Sequence, residues 1–395
     1  MRLLLLTQVL PYPPDSGPKD KTLNTLKYLS ANFEVTLVSF VRGDQSEHVD
    51  YLRKYCKEIY TVPMKRNFVL DGISLGASVL KDQAWMMVRD HRRAMYELIT
   101  NLDRQNHFEL VYADQLNMAQ YAQNLNGARK ILDEHNALWL LYQRLWKTMP
   151  PGPKKWILAR DWRLLKRYEG KICDEFDVVL AVSDEDRQAL QEAIGHDAPI
   201  KVIPITVDID ELKPVKRKPV GNHILYVGTL FWPPNVDGIL WFIREVFPLI
   251  RQRMPDVQFD IIGARPPREI INYSSAENHI NVTGYVKDLT PYLQQSRLMV
   301  VPLRAGGGMR VKILNNLAQA IPVVTTSIGC EGIAVEHGKH LLIADSPQDF
   351  AEAVIALMES PQKAQELGEN GRNLILERYD FRVAFSNLAD ILQKG

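Results

Sequence analysis

The sequence predicts an α/β protein with two Rossmann-like, doubly wound domains that face each other across a cleft. The chain has 395 residues, which suits two such domains better than a single core. Short apolar runs typical of buried strands alternate with helical patterns along both halves. Between the halves lies a basic, proline-containing stretch, VKRKPVGN, which is the strongest linker signal in the chain.

The first half contains strand patterns with helical patterns between several of them. Its opening run, MRLLLLTQVLPYPP, is interpreted as a first buried strand and not as a signal peptide, because Pro11 ends a short apolar run and no small-residue cleavage site follows. We predict that the first domain spans residues 1–205. Its predicted strands are 2–7, 34–40, 58–62, 110–113, 130–133 and 178–182.

The strand pattern restarts after the linker, so the second half is predicted to form another sheet of the same kind. Ligands of doubly wound sheets bind at the carboxyl ends of the strands, which would face the cleft. We predict that the second domain spans residues 206–377, and a helix over about 378–395 is a candidate to pack back on the first domain. The predicted strands are 223–227, 258–262, 280–283, 298–302, 322–326 and 341–344.

The composition disfavours a nucleic-acid binder and a membrane-spanning protein. The formal net charge is +1, which gives no global attraction to nucleic acid. Three widely spaced cysteines without a CxxC pair suit a reducing compartment, and no apolar run has membrane-spanning length. The histidines and carboxylates show no metal-ligand spacing. We therefore expect a cytoplasmic protein with no nucleic-acid partner and no metal.

A glycine-rich turn is the most informative feature. Gly306, Gly307 and Gly308 follow a buried strand and would let the backbone approach a ligand, while the N–H groups of the next helix point toward it. Arg310 and Lys312 add positive charge at the same place. Two interpretations stay open from these residues alone: a phosphate-binding turn, or an ordinary βαβ unit with a glycine-rich connection.

Several segments together resemble the family 4 glycosyltransferases of the GT-B fold. In the second half they are VGTLFWPPNVDG (227–238), GYVKDL (284–289) and GGGMRVKIL (306–314). In the first half PYPPDSGPKDKTLNTLKYLS (11–30) looks like the glycine loop and first helix of that family. ILDEHNALW (131–139) and RYEGKICDEFDVVLAVSDEDRQAL (167–190) are similar to the branch that makes bacterial surface polysaccharides and related glycosides. The resemblance covers nearly the whole chain.

The resemblance implies a retaining sugar transfer. A sugar would move from a nucleotide sugar, such as a UDP sugar, to a hydroxyl of a glycan, a lipid-linked or a small-molecule acceptor. Family members need no metal or other cofactor. In the front-face mechanism usually proposed for them, the leaving phosphate itself takes the proton of the acceptor.

The resemblance also implies how the second domain would hold the diphosphate. Arg310 and Lys312 would stabilise the negative charge that collects on the leaving group as the glycosidic bond breaks. The backbone of the turn from Gly306 to Met309 would contribute N–H groups, and Gly228 would permit close approach beside the diphosphate.

Other predicted donor contacts come from two further loops. Gly284, Tyr285 and Val286 would offer backbone hydrogen bonds to the base, with an ordinary turn as the alternative. Gly17, with Lys19 nearby, would bring the loop of the first domain against the diphosphate and sugar. A solvated Gly-Pro turn is the alternative interpretation of residues 16–18.

Departures from the family pattern bear on the donor. Family members usually carry a Glu that accepts both ribose hydroxyls, and here Asn315 stands at its place. The lost charge-assisted bond is worth about 1.5–3 kcal/mol. Gly307 stands eight positions earlier, where the first Glu of the common E-x7-E pattern would fall. A lysine often found after the strand that precedes Gly228 is also missing, with Asn235 close to its place, so Arg310 is a candidate for that contact.

Two residues of the first domain are candidates for catalysis. Many relatives place a His in the cleft after the fourth or fifth strand. Here Asp114 in VYADQ stands at the first location and His135 in DEHN at the second. Asp114 would orient the acceptor hydroxyl or take its proton late. A purely structural histidine is the alternative for His135, although a strand end in the cleft favours function.

Two further features have competing interpretations. Asp208-Ile209-Asp210 is a DxD motif, which we interpret as structural because the metal-dependent transferases that use it have another fold. Residues 139–171 contain four tryptophans and nine basic residues from Arg144 to Lys171, against two acidic ones. This segment suits either peripheral contact with an anionic membrane at the inner face of the plasma membrane, or a solvated helix with a buried tryptophan stripe.

A second class of function stays open from the sequence. Because the usual ribose-binding Glu is replaced by Asn315, the chain could be a GT-B-like nucleotide- or glycan-binding protein, or a partner subunit without turnover. Arg310 and Lys312 disfavour that interpretation. A nucleotide-sugar epimerase of the same fold is a third, weaker alternative.

Overall fold

The computed structural model describes residues 1–218 and 221–393. The chain divides into two compact units. The first unit is Met1–Ile205 with Gly307–Met309 and the C-terminal segment from Ala384, and the second is Thr206–Gly306 with Arg310–Val383. Pro219, in the predicted linker, lies outside the described residues. As far as residue 218 the linker is hydrogen-bonded within the second unit, where Val215 N donates to Gln319 O at 3.0 Å.

A parallel sheet forms the centre of the first unit. Its strands are β1 Arg2–Thr7, β2 Glu34–Val41, β3 Glu58–Pro63, β4 Leu110–Asp114, β5 Arg129–Asp133, β6 Val178–Ala181 and β7 Lys201–Val202. Among the described residues their order is β3-β2-β1-β4-β5-β6-β7. Leu3 to Leu6 of β1 are fully buried, because a parallel strand covered on both faces takes a continuous apolar run.

Helices connect these strands. They are α1 Gly17–Asn32, α2 Ser46–Leu52, α3 Phe68–Leu80, α4 Trp85–Asp90, α5 Arg93–Asn106, α6 Leu116–Ala122, α7 Leu138–Thr148, α8 Pro153–Glu175 and α9 Asp184–Ile194. Ser183 caps α9, since its side chain accepts from Asp186 N, and Asn67 caps α3 in the same way through Leu70 N.

The second unit is built on a second parallel sheet. Its strands are β8 His223–Val227, β9 Gln258–Ile262, β10 Ile280–Gly284, β11 Ser296–Val301, β12 Val323–Thr325 and β13 Leu342–Ile343. Their order in the described part of the chain is β10-β9-β8-β11-β12-β13. In both sheets, therefore, the order in which strands are added reverses beside the first strand, which is the doubly wound arrangement.

The remaining helices follow in chain order. They are α10 Pro233–Trp241, a π-helical turn Phe242–Val246, α11 Phe247–Arg253, α12 Arg268–Ile271, α13 Thr290–Gln295, α14 Val311–Ala318, α15 Pro347–Glu359, α16 Pro361–Arg378, α17 Phe381–Ala384 and α18 Leu388–Gln393. The rings of Phe242 and Phe259 lie 4.7 Å apart in the core of this unit. Aromatic pairs of this kind contribute beyond the area that they bury.

The predicted fold class is confirmed, and each predicted strand is present with ends that differ by at most two residues. The prediction missed β7. It also began β12 at Pro322, but the strand starts at Val323 because proline has no N–H for the ladder.

The C-terminal segment differs from the prediction of one helix. Residues 385–387 form a turn between α17 and α18, and residues 394–395 lie outside the described part. In the first unit the Phe385 ring lies 5.3 Å from that of Tyr28, and Ala389 N donates to the Tyr28 hydroxyl at 3.2 Å. Asp380 pairs with Val207 in a β-bridge, which holds the backbone extended at Asp380. The helical run is therefore interrupted there, and α17 begins at Phe381.

Candidate functional site

A glycine-rich turn follows β11, where the strand order of the second sheet reverses. This reversal falls between β8 and β11, so the carboxyl ends of these strands flank a crevice. Gly228 directly follows β8, and the turn Gly306 to Gly308 lies between β11 and α14. The N-terminus of α14 lies at the same end of the sheet, and the positive end of the helix dipole makes this end suited to an anion.

Two of the three glycines have backbone angles that side chains disfavour. The φ angle is 133° at Gly306 and 72° at Gly308. A Cβ atom at Gly306 would lie 2.8 Å from Nη2 of Arg310, so this glycine also makes room for the guanidinium group. Any other residue at Gly306 would strain the backbone and displace Arg310.

Lys312 is held at this end of the sheet by two polar side chains. Its Nζ lies 3.0 Å from the hydroxyl of Tyr226 and 3.1 Å from Oδ1 of Asn235. A Cβ atom at Gly228 would lie 2.8 Å from the same Nζ. The structure therefore brings Gly228 and Asn235, both predicted to bind the donor, into one cluster with Tyr226 and with Lys312, which was predicted to be catalytic.

The surroundings of Lys312 disfavour its charged form. Burial, and then the positive charge of Arg310, lower the pKa of Lys312 to about 7. Burial also raises the pKa of Tyr226, so this hydroxyl stays neutral and supplies no opposite charge. A bound anion would favour the charged lysine again, and the pair of cations therefore suits a ligand such as a diphosphate.

The loop predicted to meet the base lies at the end of β10. Gly284 ends that strand with a φ of 75°. Tyr285 is largely exposed, and Val286 packs against a buried cluster that includes Leu225 and Ile262. These three residues belong to the second unit, but they lie beyond β9 in the sheet and do not contact Lys312 through any hydrogen bond seen in the described residues.

The other predicted donor residues occupy separate places. Asn315 is half-buried on α14, three positions after Lys312. Gly307, Gly308 and Met309 group with the first unit, and Met309 is buried.

Two carboxylates and a histidine meet at the carboxyl ends of β4 and β5 in the first unit. Asp114 ends β4 and Asp133 ends β5, side by side in the register of the sheet. Nε2 of His135 lies 2.9 Å from Oδ1 of Asp114. All three side chains are buried. The structure thus brings together Asp114 and His135, the two first-domain residues predicted to be catalytic.

Helix α1 contacts this cluster through consecutive residues. Lys21 forms a buried ion pair with Asp133, and Thr22 Oγ1 lies 2.8 Å from Oδ2 of Asp114. The hydroxyl of Tyr112 donates to Oδ2 of Asp133 at 2.7 Å. Burial raises the pKa of Asp133, but the charge of Lys21 and the hydrogen bonds more than offset it, so the net pKa lies below the usual value.

The contacts of Asp114 make it a positioning residue for His135. One carboxylate oxygen accepts from Thr22, and the other is bonded to the imidazole. An ionised Asp114 favours the tautomer with its proton on Nε2, which leaves Nδ1 of His135 as an acceptor. Within the described residues Nδ1 has no hydrogen-bond partner.

The same cluster offers the donor atoms of a metal site. One ligand atom from each of Asp114, Asp133 and His135 lies within 4.8 Å of the others. The ammonium group of Lys21 already neutralises Asp133, however, and Asp114 is shared between Thr22 and His135. This donor set fits a hydrogen-bonded network better than a divalent cation.

Two buried carboxyl groups lie near the cluster: Glu134, between Asp133 and His135 in the chain, and Glu169 of α8. Burial raises the pKa of Glu134 well above its usual value and that of Glu169 to about 8. Glu169 accepts from the N–H groups of Leu138 at 2.7 Å and Trp139 at 2.8 Å. Glu169 therefore caps α7, which begins three residues after His135.

The start of α1 contains the two other predicted residues of the first unit. Gly17 and Pro18 are its first residues, so the stretch 16–18 is a helix start and not an isolated turn. Nζ of Lys19 lies 3.0 Å from Oδ1 of Asp15, which neutralises part of its charge.

Sequence reasoning missed several residues of these clusters, including Tyr112. Tyr226 lies inside an apolar strand, HILYV, where a hydroxyl gives no signal, and Lys21 and Thr22 lie in a polar helix start that suggests exposure. Asp133 could have been found, because it ends a predicted strand as Asp114 does.

The structure bears on the two features with competing interpretations, the DxD motif and segment 139–171. Arg382 contacts both carboxylates of the DxD motif, Asp208 and Asp210, which supports the structural interpretation. In segment 139–171 both acidic residues are buried, whereas none of the nine basic ones is. Trp139 is buried but Trp156 is 80% exposed, so a wholly buried tryptophan stripe is wrong.

Comparisons with known proteins agree with this architecture. A family model described as "Glycosyltransferase Family 4" matches residues 22–211, and one described as "Glycosyl transferases group 1" matches residues 221–360. An "Uncharacterized 44.6 kDa protein in cps region" of Klebsiella pneumoniae is 24% identical over 401 residues, which cover 98% of each chain.

One protein of similar sequence has a named activity, and one protein of similar fold has a named ligand. A GDP-mannose-dependent alpha-(1-6)-phosphatidylinositol monomannoside mannosyltransferase of Mycobacterium tuberculosis is 25% identical over 247 residues, 56% of this chain and 63% of that protein. The structure of Anabaena Alr3699/HepE in complex with UDP is similar with a TM-score of 0.71 and 16% identity, covering 100% of both chains. Among the described residues, no helix is long and apolar enough to cross a membrane.

Proposed function

The chain belongs to the group 1, family 4 glycosyltransferases, and from this premise we propose that it moves a sugar from a nucleoside-diphosphate sugar to an acceptor hydroxyl. The proposed transfer retains the anomeric configuration, follows a front-face path and needs no metal ion. One observation carries the proposal: Arg310 and a desolvated Lys312 lie beside a glycine turn where the strand order of the second sheet reverses.

These two cations would act on the leaving group. Negative charge collects on the diphosphate as the glycosidic bond breaks, so groups aimed at it stabilise the transition state more than the ground state. Arg310 keeps its charge throughout. Lys312 would gain its proton as the diphosphate binds, because the anion offsets the cost of charging a buried amine.

The cluster of the first unit would orient the acceptor side of the reaction. We assign His135 to contact with the acceptor hydroxyl or the sugar through Nδ1, and Asp114 to holding the imidazole in place. The proton of the acceptor passes to the leaving phosphate, so His135 has to position the hydroxyl and need not be a strong base.

The similar proteins differ in donor and acceptor, so they do not select one donor or one acceptor for this chain. One solved relative holds UDP, while another relative uses GDP-mannose and a phosphatidylinositol monomannoside. We propose a glycan or lipid-linked acceptor ahead of a small molecule, at the cytoplasmic face of the plasma membrane. The unburied basic residues of segment 139–171 support such a membrane contact.

The donor site is tested by thermal unfolding with UDP, GDP, ADP and dTDP, each with Mg²⁺ and with EDTA. A ligand that binds only the folded protein stabilises it by about 2.7 kcal/mol at a hundredfold excess over Kd. We expect one nucleotide to raise the unfolding temperature equally under both conditions. Arg310→Ala should abolish the shift, whereas Arg268→Ala, at an exposed site of the same unit, should keep it.

A second candidate function is favoured by Asn315. If this residue cannot hold the ribose, the chain would bind a nucleotide or a glycan without transferring sugar. Products distinguish the two, because incubation with the sugar nucleotide of the selected base and an acceptor mixture yields a glycosylated acceptor only for a transferase. Asn315→Glu should tighten nucleotide binding if the family contact to the ribose applies here.

A further inference from the structure

Helix α3 presents apolar side chains to solvent along its length. Phe68 is 98% exposed, Ile73 64% and Leu80 89%. Val69 and Val79 are exposed as well, and within this fully described helix Ser78 alone is buried. Monomeric proteins rarely expose a continuous apolar face of this kind unless it binds something.

No other part of the described chain covers the middle of α3, where Gly72 and Gly76 lie. A Cβ atom placed on Gly72 or Gly76 would meet no atom of the described chain within 4 Å. Glycine is also unfavourable inside a helix, so the local sequence alone gives α3 little stability. Its apolar residues therefore point to a surface outside this chain that covers them.

Basic residues of α8 adjoin this helix. Nη2 of Arg160 donates to the Ser78 carbonyl at 2.8 Å, which fixes α8 against the end of α3. One turn earlier Trp156 is 80% exposed, and Lys154 is exposed beside it. An open groove nearby is lined by Trp146, Lys155, Trp156, Ala159, Arg160 and Arg163.

The acidic residues of the same area lie beside basic groups or are buried: Asp71 of α3 is half-buried and interacts electrostatically with Arg89. Asp161 of α8 is buried, where its Oδ1 accepts from Trp85 N at 3.1 Å. Asp82, between α3 and α4, is paired with Arg160 at 3.6 Å and with Arg167 at 3.2 Å. The face of α8 that adjoins α3 thus combines positive charge and exposed tryptophan with the apolar helix.

We propose that α3 and residues 153–163 form a membrane-docking surface for bilayers rich in anionic lipid. The apolar side chains of α3 enter the interfacial region, while Lys154, Lys155 and Arg163 contact the phosphates of the head groups and Trp156 lies at the boundary. The charge decides between a bilayer and a second copy of the chain, because two identical faces would set like charges against each other. This inference deepens the membrane contact proposed above and does not depend on the donor site.

Flotation of the full chain with vesicles tests the docking surface. We expect binding to vesicles of 30% phosphatidylglycerol in phosphatidylcholine to be at least tenfold tighter than to phosphatidylcholine alone, and to weaken with added salt. Phe68→Ser combined with Leu80→Ser should lower the partition coefficient by about tenfold or more. Lys154→Glu combined with Lys155→Glu should remove the preference for the anionic lipid.

Matched variants separate this result from loss of folding or of donor binding. Ile271→Ser, at an exposed apolar residue of the second unit, should leave vesicle binding unchanged. Each variant should keep the unfolding temperature and any nucleotide shift of the parent, so failure of the docking surface and failure of the donor site give different results. Equal binding of all variants to anionic vesicles would overturn the proposal. So would a concentration-dependent dimer that Phe68→Ser disperses without any vesicle binding.

Discussion

Lys312 allows the electrostatics of the donor site to be tested directly. In the ligand-free protein burial and Arg310 lower the pKa of this lysine to about 7, so at pH 8 most molecules carry a neutral amine. A bound diphosphate favours the ammonium form and raises that pKa toward its ordinary value. Nucleotide binding at pH 8 should therefore take up close to one proton per site.

The size of the effect follows from linkage. Above the pKa of the free protein and below that of the complex, each pH unit lowers the affinity by up to tenfold, equivalent to about 1.36 kcal/mol. With a pKa of about 7 in the free protein and a pKa raised toward the ordinary lysine value in the complex, the dissociation constant should rise about tenfold between pH 7 and pH 8.5. The second ionisation of a terminal phosphate, near pH 6, lies below this range.

Isothermal titration calorimetry measures the proton uptake. The apparent binding enthalpy at pH 8, compared between HEPES and Tris buffers, gives the number of protons taken up. Lys312→Arg, whose charge does not titrate, should bind without uptake, and Lys312→Met should bind weakly and without uptake. Proton uptake that persists in Lys312→Met, or that is missing in the parent protein, would refute the reasoning.

The same lysine should affect stability in the opposite sense to binding. Because its pKa in the folded protein lies below that of an unfolded lysine, the unfolded chain binds more protons between about pH 7 and 10, and stability from this group rises with pH across that window. Below pH 7 the folded protein holds the charged amine at a cost. Lys312→Met should then raise the free energy of unfolding by about 1–3 kcal/mol at pH 6.

Three further outcomes follow from the two clusters. Gly306→Ala should weaken nucleotide binding at least tenfold in the same calorimetric assay, because a side chain at a φ of 133° strains the backbone and its Cβ displaces Arg310. Unchanged affinity would contradict this. Lys21→Met should cost about 3–5 kcal/mol in urea unfolding because it leaves Asp133 buried without its counter-ion, against at most about 1 kcal/mol for Lys19→Met in a partly exposed pair; equal losses would count against a buried pair. Glu134→Gln should change stability little at pH 4 but stabilise the protein at pH 7 and above, because the pKa of Glu134 is raised in the folded protein and the unfolded chain alone gains from ionising this group as the pH rises above about 4.5; a parent protein with the same pH dependence as this variant would exclude that role.

Much of the fold was predictable because its signals are local. Buried parallel strands need continuous apolar runs, so the run from Leu3 to Leu6 by itself indicates β1. The positive φ angles at Gly306 and Gly308 require glycine, and the sequence has glycine there. Strand β7 was missed, because it has two residues and little pattern of its own.

The candidate site depended on contacts between distant parts of the chain. Lys312 meets Tyr226 and Asn235 across 86 and 77 positions, and Lys21 meets Asp133 across 112. No periodicity reports such a pairing, and the low pKa of Lys312 exists only once the three segments have excluded water from it.

Local sequence is enough to indicate two doubly wound sheets, the glycine turn and the basic residues that follow it, because backbone conformation and strand burial are encoded within a few neighbouring residues. Tertiary structure decided which polar groups share a desolvated space and which apolar groups stay in water. Helix α3 shows the difference: its composition suits a core, yet Phe68 and Leu80 are almost fully exposed. Burial depends on what packs against a residue, and that is set by the whole chain.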